Sequence, residues 1–151
     1  MIEWGHIARS GNPGTDGTVV GVAFIGALPG GGSAIGVAAM GLEAGEHGVH
    51  IHETGACDPA GEKAFTSAGG HYNPTKTEHG EHAGDLGNIT ITADSLMSLE
   101  LSSDAVVLCE LLDGDGAAIV IHASEDLNDA EGTSYGARIA CGVLTSTAPT
   151  T

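Results

Sequence analysis

Basic residues are the scarcest feature of this 151-residue chain. It contains four, Arg9, Lys63, Lys76 and Arg138, against 20 acidic residues, which gives a net charge of −16. Nucleic acids and anionic membrane surfaces are bound through basic surface, so this balance argues against both as partners. We interpret the acidity itself as a source of solubility, including in a salty medium.

Long apolar runs are missing as well. No stretch of 18 or more apolar residues occurs, so we expect no membrane insertion. The first residues, Met1 to Trp4, lack the basic and apolar regions of a signal peptide, so a secreted form would already have lost its leader. An extracellular or periplasmic location is favoured in that case, and a cytoplasmic one stays open.

Aromatic residues make up 3% of the chain, whereas there are 25 glycines, about twice the average usage. With 41% hydrophobic residues, the composition is not that of a disordered chain. The length suits one domain that buries roughly 70% of its unfolded surface, and not two. Glycine-rich segments with Val and Ile between turns predict an all-β sandwich or barrel.

Period-2 patterning indicates where strands form, and no segment is convincingly helical beyond a turn. Long polar loops are predicted at 54–85 and 124–136, and the first four strands are predicted to form an antiparallel meander. The most economical architecture is an eight-stranded antiparallel Greek-key barrel or sandwich with two long functional loops. We assign residues 1–144 to one domain and 145–151 to a Ser/Thr/Pro-rich tail or linker, an arrangement compatible with one domain cut from a longer protein. Nine segments are strand candidates, one more than this architecture requires: 2–9, 18–28, 33–42, 47–53, 88–93, 96–101, 105–111, 117–122 and 138–144.

Histidine is concentrated in the middle of the chain, where seven of the eight lie between His47 and His122. His50 and His52 are two residues apart in a predicted strand, so they share one face and make half of a metal site. This His-x-His pattern is weak alone, because zinc hydrolases, cupins and chance surface pairs also contain it.

The first long loop supplies a second ligand set. His71, His79, His82 and Asp85 provide three imidazoles and a carboxylate, a combination that suits four-coordinate zinc. If His71 is counted twice, it forms with His50, His52 and His122 a set of four nitrogens. An imidazole-rich, thiolate-free set of this kind suits Cu(II).

Five segments in this region carry a resemblance to a known family. The segments are Gly48-Val49-His50-Ile51-His52-Glu53, Gly69-Gly70-His71-Tyr72-Asn73-Pro74, His82-Ala83-Gly84-Asp85-Leu86-Gly87-Asn88, Val120-Ile121-His122 and Gly136-Ala137-Arg138-Ile139-Ala140-Cys141-Gly142-Val143. With these segments in this order across residues 48–143, the chain resembles the copper/zinc superoxide dismutases.

The resemblance implies an enzyme that disproportionates superoxide to oxygen and hydrogen peroxide by alternate reduction and oxidation of copper. Copper would be held by His50, His52, His71 and His122, and zinc by His71, His79, His82 and Asp85. His71 would bridge the two metals and take part in proton movement, while zinc itself does no redox chemistry. Arg138 would hold the superoxide anion through charge-assisted hydrogen bonds.

Supporting roles follow from the same resemblance. Asp126 would link His50 to His79, with Glu125 and Asp129 as nearby competitors for that role. Three cysteines allow one bridge, and the resemblance implies that Cys57 and Cys141 form it. Cys109 would then be free and buried in an apolar strand. His47 would belong to the structural framework. His6 has no counterpart in the family, and we expect it on the surface or in an edge strand.

The second loop departs from the better-known eukaryotic members, since it is shorter and contains acids but no lysine. Repulsion from the net charge should slow an anionic substrate. Lys63, Lys76 and Arg138 nevertheless lie in or beside the predicted site loops. Local guidance of the anion by Lys63 and Lys76 is therefore a hypothesis, which a loss of the salt-sensitive part of the rate on their substitution would test.

Other functions compete with the enzyme. A non-catalytic metal-binding module of a larger surface or secreted protein is the main alternative, supported only by the Thr/Pro-rich end. A zinc hydrolase lacks an evident general base beside an open zinc position. A copper chaperone is disfavoured, because the four copper ligands and Arg138 are present without a Cys-x-Cys motif. The family includes dimers and monomers, so a homodimer and a monomer are both compatible with the sequence.

Overall fold

Eight antiparallel strands form the framework of the protein in a computed structural model, which describes residues 2–9, 18–60, 63–112 and 114–146. Within these residues, helix is limited to a single turn, α1 (Leu108–Leu111), and a 3-10 turn at Thr66–Ala68. The predicted all-β class is confirmed. The strands are β1 (Ile2–Arg9), β2 (Val19–Ala27), β3 (Ser33–Ala39), β4 (Gly45–His52), β5 (Asp85–Ile91), β6 (Met97–Ser103), β7 (Ala117–His122) and β8 (Arg138–Ser146).

The strands form one sheet in the order β5-β4-β7-β8-β1-β2-β3-β6. The end strands β5 and β6 also contact each other, so the sheet is a nearly closed Greek-key barrel, as predicted. The predicted meander holds for β1 to β3 and is wrong for β4. The free edge of β3 pairs with β6, and β4 instead lies between β5 and β7.

Strand alternation separates the barrel core from the face that carries the histidines. On β4, Val49 and Ile51 point into the core, as do Ile119 and Ile121 on the neighbouring β7. Side chains one residue away point outward. Every residue of β7 is nevertheless buried, because the long loop after β4 covers this outer face. Burying each isoleucine stabilises the barrel by roughly 1.5–3 kcal/mol.

A disulfide fixes that covering loop to the barrel. Cys57 in the loop is bonded to Cys141 in β8, which confirms the predicted bridge. Phe65 and Ala68 of this loop pack with Val120 of β7 in a small second apolar cluster. The loop itself ends at residue 84, because Asp85 is already the first residue of β5. The strand predicted at 88–93 therefore begins three residues earlier.

The segment predicted as a strand at 105–111 contains α1 instead. Residues three apart share a helix face, so one helical turn brings Leu108 and Leu111 together into the core. Cys109 then faces outward and is exposed, which corrects the prediction that it is buried. Strand and single-turn helix cannot be told apart by periodicity in so short an apolar run.

The remaining expectations concern the ends of the chain and two histidines. The tail predicted at 145–151 begins inside β8, and residues 147–151 lie outside the described residues. His6 is exposed, as expected. His47 is buried, and its ring lies 2.7 Å from the carbonyl of His122 and 2.6 Å from that of Glu43, which agrees with a framework role. Among the described helices, none has the length or hydropathy to cross a bilayer.

Candidate metal centre

The outward face of β4 carries two completely buried imidazoles, His50 and His52. His50 Nε2 donates to Asp126 at 2.6 Å, and His52 Nδ1 donates to the carbonyl of Gly69 at 2.9 Å. The other nitrogen of each ring, Nδ1 of His50 and Nε2 of His52, is buried without a hydrogen-bond partner among the described residues. In each ring, one nitrogen fixes the orientation through a hydrogen bond, and the other nitrogen has a lone pair available to a ligand.

His122 repeats this arrangement at the end of β7. Its Nδ1 donates to the carbonyl of Gly136 at 3.1 Å, while its buried Nε2 has no partner within the described part of the chain. The His122 ring centroid lies 4.7 Å from that of His50 and 5.7 Å from that of His52. A buried nitrogen without a partner costs roughly 1–3 kcal/mol. Three such nitrogens converge here, and together they offer three lone pairs that could hold a metal ion.

His71 is brought to this face by backbone pairing. The residue forms an isolated antiparallel bridge with His52, continued by hydrogen bonds from Glu53 to Gly70 and from Tyr72 to Ile51. Its side chain is 8% exposed, so the ring points inward. One ligand atom from each of His50, His52, His71 and His122 lies within 4.8 Å of all the others.

The residues predicted to bind zinc also lie near one another. Nδ1 of His71 lies 3.0 Å from Asp85 Oδ1 and 3.2 Å from His82 Nδ1, and His79 Nδ1 lies 3.4 Å from the same carboxylate oxygen. The atoms grouped within 4.8 Å belong to His50, His71, His79 and Asp85. His82 lies at the edge of that group, with its Nδ1 3.3 Å from Asp85 Oδ2. His71 is common to both sets.

Asp126 links the two ligand sets by hydrogen bonds to one histidine of each. Its carboxylate accepts from His50 at 2.6 Å and from His79 Nε2 at 2.9 Å. Asn88 exchanges two hydrogen bonds with the Asp126 backbone, at 2.7 and 2.9 Å, and so fixes its position. Asp126 is thus the loop acid that contacts both rings. Asp129 instead accepts from Thr133 and Ser134 within its own loop.

Burial sets the protonation states of the buried histidines. Desolvation lowers the pKa of His52 to about 2 and that of His122 to about 4, and it lowers the pKa of His50 further still. For Asp85, burial alone would raise the pKa, but hydrogen bonds from His71 and the Gly80 amide outweigh it and bring the pKa to about 2. Neutral imidazoles and an ionised carboxylate are the forms that bind metals.

Arg138 lies at the start of β8, opposite His122 in the sheet register. Its half-buried guanidinium donates to the carbonyls of Phe65 at 2.8 Å and Gly69 at 2.6 Å. The Gly69 carbonyl therefore holds both Arg138 and His52. Gly69 itself has φ 75°, a conformation that favours glycine.

The centre opens to solvent through a cavity of about 440 Å³. Arg138 contributes positive charge to its lining, and Glu78 and Glu131 contribute negative charge. Lys63 lines a different cavity of about 610 Å³, which Arg138 also borders. Lys76 lies in a turn with φ 53°, where its amide donates to the carbonyl of Asn73.

Two site residues were not predicted from the sequence. Asn88 lies in one of the family segments, but no local sequence pattern indicates that it holds Asp126. Tyr135 packs against the histidines, and burial followed by the nearby Asp126 raises its pKa. The sequence offers one signal for a role of Tyr135 in the site: it lies three residues before Arg138, in a chain with only two tyrosines.

The sequence matches the family described as copper/zinc superoxide dismutase over residues 19–144. One similar protein, an extracellular copper/zinc superoxide dismutase of Drosophila melanogaster, is 35% identical over 117 residues, covering 69% of this chain and 62% of that protein. Superoxide dismutase [Cu-Zn] 4 of Dictyostelium discoideum is 39% identical over 121 residues, covering 69% of this chain and 75% of that protein. The chain thus spans somewhat less than two thirds of the Drosophila relative.

Solved structures share the fold. A copper/zinc superoxide dismutase from Brucella abortus aligns with a TM-score of 0.79 at 28% identity, covering 96% of this chain and all of that one. A superoxide-dismutase-like protein from Bacillus subtilis aligns with a TM-score of 0.77 at 31% identity, covering 94% of this chain and 97% of that one.

Proposed function

The chain belongs to the copper/zinc superoxide dismutase family, and on this premise we propose that it disproportionates superoxide to oxygen and hydrogen peroxide. The observation that carries the proposal is the convergence of buried imidazole nitrogens that have no protein partner among the described residues. A degenerate family member would have no reason to keep such nitrogens, because each is destabilising without an ion.

The donor atoms fit the two implied metals. For copper we propose His50 Nδ1 and Nε2 of His52 and His122, with His71 as the fourth ligand. For zinc, the contacts of His71, His79, His82 and Asp85 give an N3O set suited to that ion. When bound, copper supplies the one-electron chemistry and zinc a fixed positive charge.

The protein's own residues bind the substrate and handle the proton. Arg138 lines the opening of the centre, and its charge acts on His52 and His122, so we assign it to holding the superoxide anion by charge-assisted hydrogen bonds. Nδ1 of His71 faces Asp85, which leaves Nε2 as the atom that takes and releases a proton. Asp126 keeps His50 and His79 in the tautomers that present Nδ1.

Charge around the opening has two opposing effects in this proposal. Glu78 and Glu131 repel an anion at the mouth. Lys63 borders a cavity with Arg138, which supports the hypothesis that it guides the anion locally, and Lys76 is retained in the same role. Neutral substitutions of both lysines should lower the salt-sensitive part of the rate, and an unchanged salt dependence would contradict their role.

We also propose that residues 1–144 act as one domain in an extracellular or periplasmic space. The disulfide favours an oxidising compartment, and one relative is named as extracellular. A non-catalytic metal-binding module remains the alternative function.

One experiment separates these functions. The protein is loaded with copper and zinc, and superoxide decay is measured for the wild type, for His122→Ala and for His6→Ala, an exposed histidine outside the centre. The proposal predicts rapid decay in the wild type and the His6 variant, with a large loss in His122→Ala. A metal-binding module predicts no metal-dependent decay in any of them, and a hydrolase predicts activity with zinc alone.

A further inference from the structure

The ring of Tyr135 lies against four of the six imidazoles in the centre. Its centroid is 4.5 Å from that of His122, 4.6 Å from His50, 5.0 Å from His79 and 5.3 Å from His71. The contacts with His122 and His50 are edge-on, with interplanar angles of 67° and 69°. Edge-to-face contact is a preferred geometry for aromatic pairs.

Two glycines from different segments make room for this ring. A Cβ on Gly48 in β4 would lie 3.0 Å from the Tyr135 Cβ, at the root of the side chain. A Cβ on Gly132 would lie 3.2 Å from the Tyr135 hydroxyl oxygen, at its tip, and Gly132 has φ 65°. The tyrosine therefore fills a slot that larger residues at either position would close.

The backbone around Tyr135 belongs to the histidine framework. Its carbonyl accepts from the amide of Ser124 at 2.9 Å, and the Ser124 carbonyl accepts from Gly48 at 2.9 Å. The next residue, Gly136, accepts from His122 Nδ1. The segment that orients His122 therefore also sets the position of the tyrosine ring.

The ring lies between the buried histidines and solvent. Tyr135 is itself partly exposed and lines the opening of about 440 Å³, whereas His50 and the side chain of Asp126 are completely buried. A hydrogen bond to a charged group is stronger where water is excluded. Covering the bond between Asp126 and His50 therefore stabilises the orientation of His50.

We propose that Tyr135 is a positioning residue of the metal centre, whose ring fixes the planes of His50 and His122 and shields the Asp126–His50 bond from water. The inference deepens the proposed function and rests on it for the identity of the ion, copper. The contacts of the Tyr135 ring with the imidazoles do not depend on which ion is bound.

The test compares Tyr135→Ala, Tyr135→Phe and the control Leu127→Ala, which truncates a 66% exposed residue of the same loop. Cu(II) affinity is measured by competition with a chelator, and the EPR spectrum of the bound ion reports its ligand geometry. We expect Tyr135→Ala to weaken Cu(II) binding about tenfold and to alter the spectrum. Tyr135→Phe keeps the ring and should match the wild type and Leu127→Ala. Unchanged affinity and spectrum in Tyr135→Ala would overturn the proposal.

The outcome is independent of catalysis. If the loaded wild type fails to consume superoxide, the proposed function is wrong, while the copper comparison still decides the role of Tyr135. If Tyr135→Ala does not fold, Tyr135→Leu replaces it, because leucine fills part of the slot without a ring edge. Tyr135→Leu should bind Cu(II) more weakly than Tyr135→Phe, and equal affinities would refute the role.

Discussion

Replacing Asp126 by asparagine tests the link between the two ligand sets. The Asp126 carboxylate accepts from His50 through Oδ2 and from His79 through both oxygens, at 2.9 Å for Oδ1 and 3.0 Å for Oδ2. Oδ1 also accepts from the backbone amide of Asn128 at 2.9 Å. An asparagine amide has one oxygen. The Asn128 backbone amide can only donate and does so at the Oδ1 position, whereas the His50 ring can change tautomer. The oxygen should therefore stay at the Oδ1 position and the NH2 group should face His50.

His50 then meets a donor where it had an acceptor. To avoid two opposed N–H groups, its ring must move its proton to Nδ1, the atom proposed as the copper ligand. A hydrogen bond to a charged group contributes about 1.5–3 kcal/mol, which corresponds to roughly tenfold to hundredfold in affinity at 1.4 kcal/mol per tenfold. We therefore expect Cu(II) affinity to fall by about that factor, and zinc affinity to fall less.

The assay is a separate chelator competition for each metal, on Asp126→Asn and on Glu125→Gln. The control removes one charge from an exposed neighbour in the same loop. It should bind both metals as the wild type does. A copper affinity equal to that of the control, or a larger loss for zinc than for copper, would refute the tautomer reasoning.

Three further predictions follow from the fold and its charges. Removing the Cys57–Cys141 bridge, whose cysteines are 84 residues apart, should lower the free energy of unfolding by about 4–5 kcal/mol, measured by denaturant titration of the double serine variant. The metal-free protein should lose stability as the pH falls from about 6.5 to about 4. Burial lowers the pKa of His122 to about 4 in the folded protein, so the unfolded chain binds a proton there at a higher pH and is favoured as the pH falls. A thermal melting temperature that does not change over this range would contradict this prediction. Glu78→Gln and Glu131→Gln should raise the superoxide rate constant at low salt, with the gain fading above about 0.15 M salt, where the Debye length is about 8 Å.

Much of this structure could be predicted because it depends on local pattern. The strands at 2–9 and 117–122 are found at the predicted residues, since both are bounded by turn-forming residues. The error at 105–111 has the opposite cause. Leu108 and Leu111 are buried by packing against the barrel, and that packing selects a helical turn that the apolar composition does not specify.

The supporting residues of the centre were harder to predict than its ligands. Histidines at metal-ligand spacing are recognisable by residue type alone. Asn88 and Tyr135 have no such chemical signature, and they act only because Asp126, Gly48 and the histidines surround them in space. A residue that works through its neighbours can be identified only when those neighbours are known.

The amino-acid sequence by itself determined the ligand types and the common face of His50 and His52, because strand alternation is a property of adjacent residues. Tertiary structure alone decided that β4 lies beside β7, with His50 opposite Val120, and this pairing brings His122 into the centre. It also decided which nitrogen of each ring remains available, since the partners that hold the other nitrogen, Gly69, Gly136 and Asp126, come from distant segments. Strand pairing and these hydrogen bonds join residues far apart in the chain, so no local pattern encodes them.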